Sequence, residues 1–263
     1  MAEHPARSGP HLVQLLRDTV PPLHPGGRPI VYTAATATVA ARFVLRKIGL
    51  RRTARTVSRL GGLATVGSAL FFRCPRRVTP MRQGLVVAPA DGRIAAIESV
   101  PPPAELGLDG VPRTRISIFL SLLDVHVQWV PIDGVVTARH YRRGRFFSAD
   151  LDKASQDNER NSLVITPTAP VGQVVVTQIA GLLARRIVCD LDAGSPVLAG
   201  ATYGLIRFGS RVDTYLPVGA TPLVSVGQRA VGGETIFADL SAPVQPPSGS
   251  SAGPSVESAA GSG

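Results

Sequence analysis

Between residues 85 and 226 the chain breaks into short runs rich in β-branched and other apolar residues, each closed off by Gly, Pro or Asp. The runs cover residues 85–88, 93–100, 115–122, 134–141, 163–166, 173–179, 186–191, 203–208, 211–216 and 222–226. Spacing this close leaves no length for the crossover helices of βαβ units, so it predicts an antiparallel sheet closed or folded over on itself. The expected fold class is a β-rich α+β chain with a compact antiparallel barrel/sandwich-type core. A helical turn fits only around residues 150–160. After residue 240 a Ser/Gly/Pro/Ala tract cannot bury enough apolar area to offset its ordering entropy, so a disordered tail is expected over 241–263. With 44% hydrophobic residues, wholesale disorder is excluded.

Ahead of the strands the chain changes character. Residues 1–29 read as a polar arm without a signal peptide, which places the body in the cytosol. Residues 30–41 and 60–72 are uncharged apolar runs, twelve and thirteen residues long, whereas a single helical span needs about 20. Eleven basic residues and no acidic one lie between Arg42 and Arg82, leaving 17 basic against 18 acidic elsewhere. Two spans would put strongly basic flanks on opposite sides, contrary to the preference of such loops for the cytoplasmic side. Residues 30–82 are therefore expected to form a helical, membrane-binding segment, an interfacial or re-entrant hairpin on the cytoplasmic face of the cell membrane. Its basic side chains would be drawn to an anionic membrane surface at roughly 1 kcal/mol each. The alternative is a pair of core helices with a solvated arginine face. Nucleic acid is not an expected partner, because the charge lacks a recognition-helix pattern. Cys74 and Cys189 stand alone, and the histidines show no paired ligand spacing, so neither a disulfide framework nor a metal site is expected.

Two apolar strands meet at Gly209-Ser210. A bare Gly-Ser pair reads as a hairpin turn or bulge, and the G-x-S-x-G nucleophile elbow is missing. The surrounding blocks carry more. Phe71-Phe-Arg-Cys-Pro-Arg-Arg leads to Ala88-Pro-Ala-Asp-Gly-Arg-Ile, then Leu122-Leu-Asp-Val-His-Val-Gln-Trp-Val-Pro, Lys153-Ala-Ser-Gln-Asp-Asn-Glu-Arg-Asn, Gln178-Ile-Ala-Gly-Leu-Leu-Ala-Arg-Arg-Ile and Phe208-Gly-Ser-Arg-Val-Asp. In this order they resemble the phosphatidylserine decarboxylases, pyruvoyl-dependent enzymes that make phosphatidylethanolamine, and most closely their short, single-domain form. The resemblance covers about residues 70–240.

The resemblance implies a catalytic domain over 83–240 that cleaves itself between Gly209 and Ser210, giving a β chain of 1–209 and an α chain of 210–263. Ser210 would become a covalent pyruvoyl group, the only cofactor needed, and would form a Schiff base with the amine of phosphatidylserine. Asp91 and Ser210 match an Asp/His/Ser relay residue by residue. His126 matches the first of two family histidines, the one associated with decarboxylation, while Trp129 stands at the second. It is therefore open whether His126 serves cleavage, turnover or both. Without the surrounding blocks, Asp91 reads as a turn residue and His126 as a core histidine. Arg185 and Arg186 are candidates for the lipid phosphate, because a guanidinium fork matches phosphate oxygens; a strand face paired with Asp190 or Asp192 is the alternative. Glu159 and Arg160 read as local ion-pairing residues. A homo-oligomer is compatible with the sequence. Two other readings stay open: a non-enzymatic barrel-sandwich membrane or carrier module, suggested by Val87-Ala-Pro-Ala-Asp-Gly-Arg-Ile, and a pyruvoyl decarboxylase of a soluble amino acid. Only Lys47 and Lys153 could carry a prosthetic arm, and neither lies at a hairpin tip.

Overall fold

A computed structural model describes residues 21–144, 158–181, 186–207 and 210–241. The expected tail from 242 onward and residues 150–157 of the expected helical turn lie outside them; Arg160, the last residue of that turn, opens a strand instead.

Two helices come first, α1 (Arg28–Lys47) and α2 (Arg51–Phe71). α1 takes Pro in its first turn, where no N–H is needed, and ends on Arg46 and Lys47, whose charges suit the helix C-terminus. Apart from Leu45, the positions turned inward are small or weakly polar: Ala34, Thr38 and Ala41 on α1, and Ala54, Ser58, Gly61 and Thr65 on α2. Their spacing of three and four residues places each set on one face. At the closest approach a Cβ on Gly61 would lie 2.3 Å from Thr38 Oγ1, so only glycine fits. Large apolar side chains face outward instead, with Tyr32, Val39, Phe43, Leu60, Leu63, Val66 and Leu70 all more than half exposed. Small residues thus face inward and large apolar ones outward. The core-helix alternative fails, since within the two helices only Val31, Ala54 and Phe71 are buried. No described helix is long and apolar enough to cross a membrane.

The hairpin is anchored at its base. Phe72 is buried with Val31, Phe71 and Leu205, and its carbonyl accepts from His24 N–H at 2.9 Å.

The strands follow as β1 (Leu85–Val87), β2 (Gly92–Val100), β3 (Arg113–Leu120), β4 (Val127–Trp129), β5 (Gly134–Arg142), β6 (Arg160–Pro167), β7 (Val174–Ala180), β8 (Ile187–Cys189), β9 (Pro196–Val197), β10 (Thr202–Ile206), β11 (Ser210–Tyr215), β12 (Arg229–Ala230) and β13 (Ile236–Asp239). Eight of them form one antiparallel sheet in the order β12-β2-β3-β11-β7-β6-β5-β9, curled into a half-barrel. A three-stranded sheet, β4-β10-β8, and the pair β1-β13 complete the fold. The β-rich class is as the sequence predicts. One expected strand is not formed: over residues 222–226, Leu223 N–H reaches Phe237 O at 2.8 Å, but Pro222 has no donor and no ladder develops.

The main core fills the space along one face of the large sheet with Ile94, Ile116, Ile118, Leu163, Val176 and Val212, together with Tyr203, Ile206 and Phe237 from the smaller sheets. Through this apolar layer runs one buried polar chain. Arg139 Nε donates to Asn161 Oδ1 (3.1 Å), Asn161 Nδ2 to Gln178 Oε1 (3.0 Å), Gln178 Nε2 to Gln128 Oε1 (2.9 Å) and Gln128 Nε2 to the His126 carbonyl (2.8 Å). Every donor points the same way, so successive bonds polarise one another. The chain links β5, β6 and β7 of the large sheet to β4 of the small one.

Replacing Gln178 by Leu, similar in size, should therefore destabilise strongly, because it orphans buried groups on both Gln128 and Asn161. The expected loss is roughly 2–5 kcal/mol in denaturant unfolding. A loss below about 0.5 kcal/mol would mean that the chain contributes nothing to the docking of the sheets.

Candidate active site

Ser210 opens β11, fourth in the order of the large sheet, with Leu120 of β3 and Ala180 of β7 as its cross-strand partners. It is not part of a hairpin. β10 pairs with β4 and β8, whereas β11 pairs with β3 and β7, so the chain crosses between sheets from Ile206 to Ser210. Gly209 lies within that crossing but outside the described residues. The Ser210 side chain is 0% exposed, and its Oγ has no hydrogen-bond partner among the described residues. An unpartnered buried hydroxyl costs about 1–3 kcal/mol.

The ends of neighbouring strands gather around it. β3 ends at Leu120, β7 ends at Ala180, and β2 begins on the far side of β3 immediately after Asp91. Gly92 permits this start: its φ is 149°, and a Cβ would lie 2.3 Å from the Phe119 carbonyl oxygen. Asp91 is thus delivered to the same end of the sheet as Ser210, two strands away.

The Asp91 carboxylate is fully engaged. Both oxygens accept from Arg77 Nη2 (2.8 and 2.7 Å), and Oδ1 also accepts from Gly232 N–H at 2.8 Å. Burial pushes its pKa up; Gly232 and Arg77 oppose that rise, and the nearby Asp124 charge adds to it. Arg77 in turn lies over the Trp129 indole, with Cζ 4.7 Å from the ring centroid. Trp129 at the second family position therefore supports the cation that holds Asp91.

His126 is 1% exposed, and burial lowers its pKa to about 4, with a smaller push from Arg73 and opposition from Asp124. The ring is neutral at pH 7. Its Nδ1 lies 2.9 Å from the Asp124 carbonyl oxygen, which fixes the proton on Nδ1 and makes Nε2 the basic nitrogen. Phe71, at the end of α2, lies against the ring at a centroid distance of 4.1 Å and a tilt of 32°. The His126 carbonyl accepts from Ile206 N–H at 3.2 Å as well as from Gln128. This stretch therefore runs alongside the chain just before the crossing. Asp124 is itself clamped: burial would raise its carboxyl, but the Ser121 hydroxyl (2.7 Å) and N–H (2.8 Å), with Arg229, hold it below its ordinary value.

Arg186 is exposed and makes no ion pair among the described residues; Asp192 pairs with Arg139 at 2.6 Å, and Asp190 lies 4.0 Å from His24. Its carbonyl accepts from Arg207 N–H at 3.2 Å, and burial together with the Arg186 charge lowers the Arg207 pKa. The Arg207 guanidinium donates from Nη2 to the Gly26 carbonyl at 3.3 Å. Arg185 lies outside the described residues. Instead of the expected local pair, Arg160 pairs with Glu105 at 2.5 Å, while Glu159 accepts from Tyr141 Oη at 2.8 Å and from Ile187 N–H at 3.3 Å. Among the described residues no group of His, Cys, Asp and Glu could hold a metal ion. Sequence reasoning missed Arg77, Asp124, Gln128 and Arg207. The polar interruption of an apolar strand was the available signal for Gln128; nothing local marks Arg77 as the partner of Asp91.

The depressed His126 pKa has a direct consequence for stability. Between about pH 4 and 6.5 the unfolded chain binds a proton that the folded chain refuses. Stability contributed by the neutral ring is complete above about 6.5 and is lost as pH falls toward 4, a change of about 3 kcal/mol. His126→Gln should flatten that part of the stability curve in urea unfolding; an unchanged slope would show that His126 is not held neutral.

Comparison with known proteins identifies the family. The family model described as phosphatidylserine decarboxylase matches residues 68–238. The phosphatidylserine decarboxylase proenzyme of Saccharopolyspora erythraea is 57% identical over 230 residues, covering 88% of this chain and 93% of that protein. The proenzyme of the same name from Mycobacterium tuberculosis is 53% identical over 241 residues, 91% of this chain and 99% of that protein. The one from Mycobacterium marinum is 52% identical over 236 residues, 90% and 94%. On a family match over residues 68–238 and relatives more than 50% identical over most of the chain, this chain belongs to the phosphatidylserine decarboxylase family.

Proposed function

We propose that the chain is a self-processing decarboxylase that converts phosphatidylserine to phosphatidylethanolamine and CO₂, with its reactive group made from Ser210. The observation that carries this reading is the Ser210 hydroxyl, buried and unpartnered among the described residues on a central strand. An alanine there would avoid the cost of a buried, unsatisfied hydroxyl; a nucleophile needs the oxygen. The relatives, named phosphatidylserine decarboxylase proenzymes, support both the substrate and the two-chain product.

In this reading Ser210 Oγ attacks the Gly209 carbonyl carbon, and the acyl group passes from nitrogen to oxygen. The amide becomes an ester. Removal of the Cα proton of residue 210 expels the Gly209 carboxylate and leaves dehydroalanine, which tautomerises to an imine. Water then releases ammonia and leaves a pyruvoyl group at the head of the α chain. That ketone supplies an electron sink for the loss of a carboxyl group, with no external cofactor. We assign Asp91, ion-paired with Arg77, to the self-cleavage stage. To His126, neutral at rest, we assign the taking up of a proton and its return to the substrate carbon that loses CO₂. Arg186 and Arg207 are assigned to the lipid phosphate, with Arg185 beside them in sequence. The outward-facing apolar residues of the hairpin, and the exposed Leu122 and Leu123 next to its base, support seating on a lipid surface. Arg73 joins the two by donating to the Leu123 carbonyl at 2.7 Å. The soluble amino acid and carrier-module readings lack any such support.

Ser210→Ala should remain a single chain and release no CO₂ from carboxyl-labelled phosphatidylserine; two chains from this variant would remove the mechanism. Asp91→Ala should stall uncleaved. His126→Ala should still mature, but with turnover reduced at least about 100-fold. If instead His126→Ala stayed whole while Asp91→Ala matured, the two assignments would be exchanged.

A further inference from the structure

The tip of the hairpin holds a groove of about 500 Å³ lined by Arg42, Arg46, Arg51, Arg55 and Arg59, with Ala54 and Ser58 at its floor. Helical spacing explains the convergence: Arg42 and Arg46 are four apart on α1, and Arg51, Arg55 and Arg59 are four apart on α2. None of the five makes an ion pair among the described residues, and the sequence has no acidic residue between Asp18 and Asp91. The helix end adds to the imbalance. α2 starts on Leu50, which offers no side-chain cap, and its first turn carries arginines and no acidic residue. Its N-terminal N–H groups already present positive partial charge, so basic residues there are unfavourable without an anion. Five like charges, an uncapped helix start and an open groove all lack the same thing.

We infer that this groove binds a phosphate group carried by an anionic lipid. Phosphate matches the donor set, because several guanidinium forks can each present paired N–H groups to its oxygens. A lipid source matches the surroundings, because exposed Phe43, Leu60 and Leu63 flank the arginines on the same two helices. The site lies at the far end of the hairpin from Phe71 and His126, so it is distinct from the residues assigned to the substrate phosphate. It rests on the proposed seating of the hairpin in a membrane, and the test separates the two.

Full-length protein would be titrated with phosphatidylcholine vesicles with and without phosphatidate, and separately with soluble glycerol 3-phosphate. Two double variants remove equal charge from the same tip: Arg55→Gln with Arg59→Gln inside the groove, and Lys47→Gln with Arg52→Gln outside it. Diffuse attraction would weaken both alike, roughly fivefold per residue removed. The groove predicts that the inner pair loses at least about tenfold more affinity for phosphatidate vesicles than the outer pair. Arg55→Lys with Arg59→Lys, which keeps the charge and removes the forks, should also bind more weakly than wild type. Equal losses in the two double variants, or a lysine pair equal to wild type, would overturn the groove while leaving membrane attachment standing. Failure of the wild type to bind any vesicle would overturn both. Glycerol 3-phosphate binding as tight as the vesicles would overturn the lipid source.

Discussion

A strand that ends in one sheet and resumes in another must cross the gap between them, and here the crossing falls between Ile206 and Ser210. Both sides are fixed. Ile206 is held by the His126 carbonyl and by its pairing with Ile187, and Ser210 is held between Leu120 and Ala180. Ile206 and Ser210 are thus each fixed in a different ladder. The amide chain from Arg139 to the His126 carbonyl keeps those ladders at a fixed separation. It passes through an otherwise apolar core, where an unmade hydrogen bond costs more than a made one contributes.

Burial is the largest influence on the electrostatics of the site. His126 is stripped of water, stacked on Phe71 and left neutral, while its nearest carboxylate, Asp124, is committed to Ser121 and Arg229. Asp91 belongs to a second cluster with Arg77, Gly232 and Trp129. The Asp124 charge acts on both groups, raising the pKa of Asp91 and opposing the fall at His126. Phe71 adds a link of another kind, since the residue that covers the His126 ring is also the end of the hairpin helix.

Much of this was legible before any coordinates. Nine of the ten apolar runs overlap strands, because β-branched alternation bounded by Gly and Pro is a local signal. The exception, at 222–226, has the right composition but Pro222 at its head. Strands β4, β9, β12 and β13 are two to four residues long and exist through their partners, so no periodicity could reveal them. At the site, the blocks around Asp91, His126 and Ser210 marked those residues. The partnership of Asp91 with Arg77 was hidden because it depends on a turn of the chain ahead of β1 and on the Trp129 ring beneath the guanidinium. The helices were legible as apolar runs, but their inversion, small side chains inward and large ones outward, appears only when the two are packed together.

The central claim is that the chain makes its own electrophile at Ser210, and intact-mass spectrometry of the purified full-length protein tests it most directly. The account predicts two chains, the smaller comprising residues 210–263, 54 residues, and lighter by one ammonia than the same fragment with a serine terminus. A single chain of full mass, or a fragment that begins with an intact serine, would contradict it.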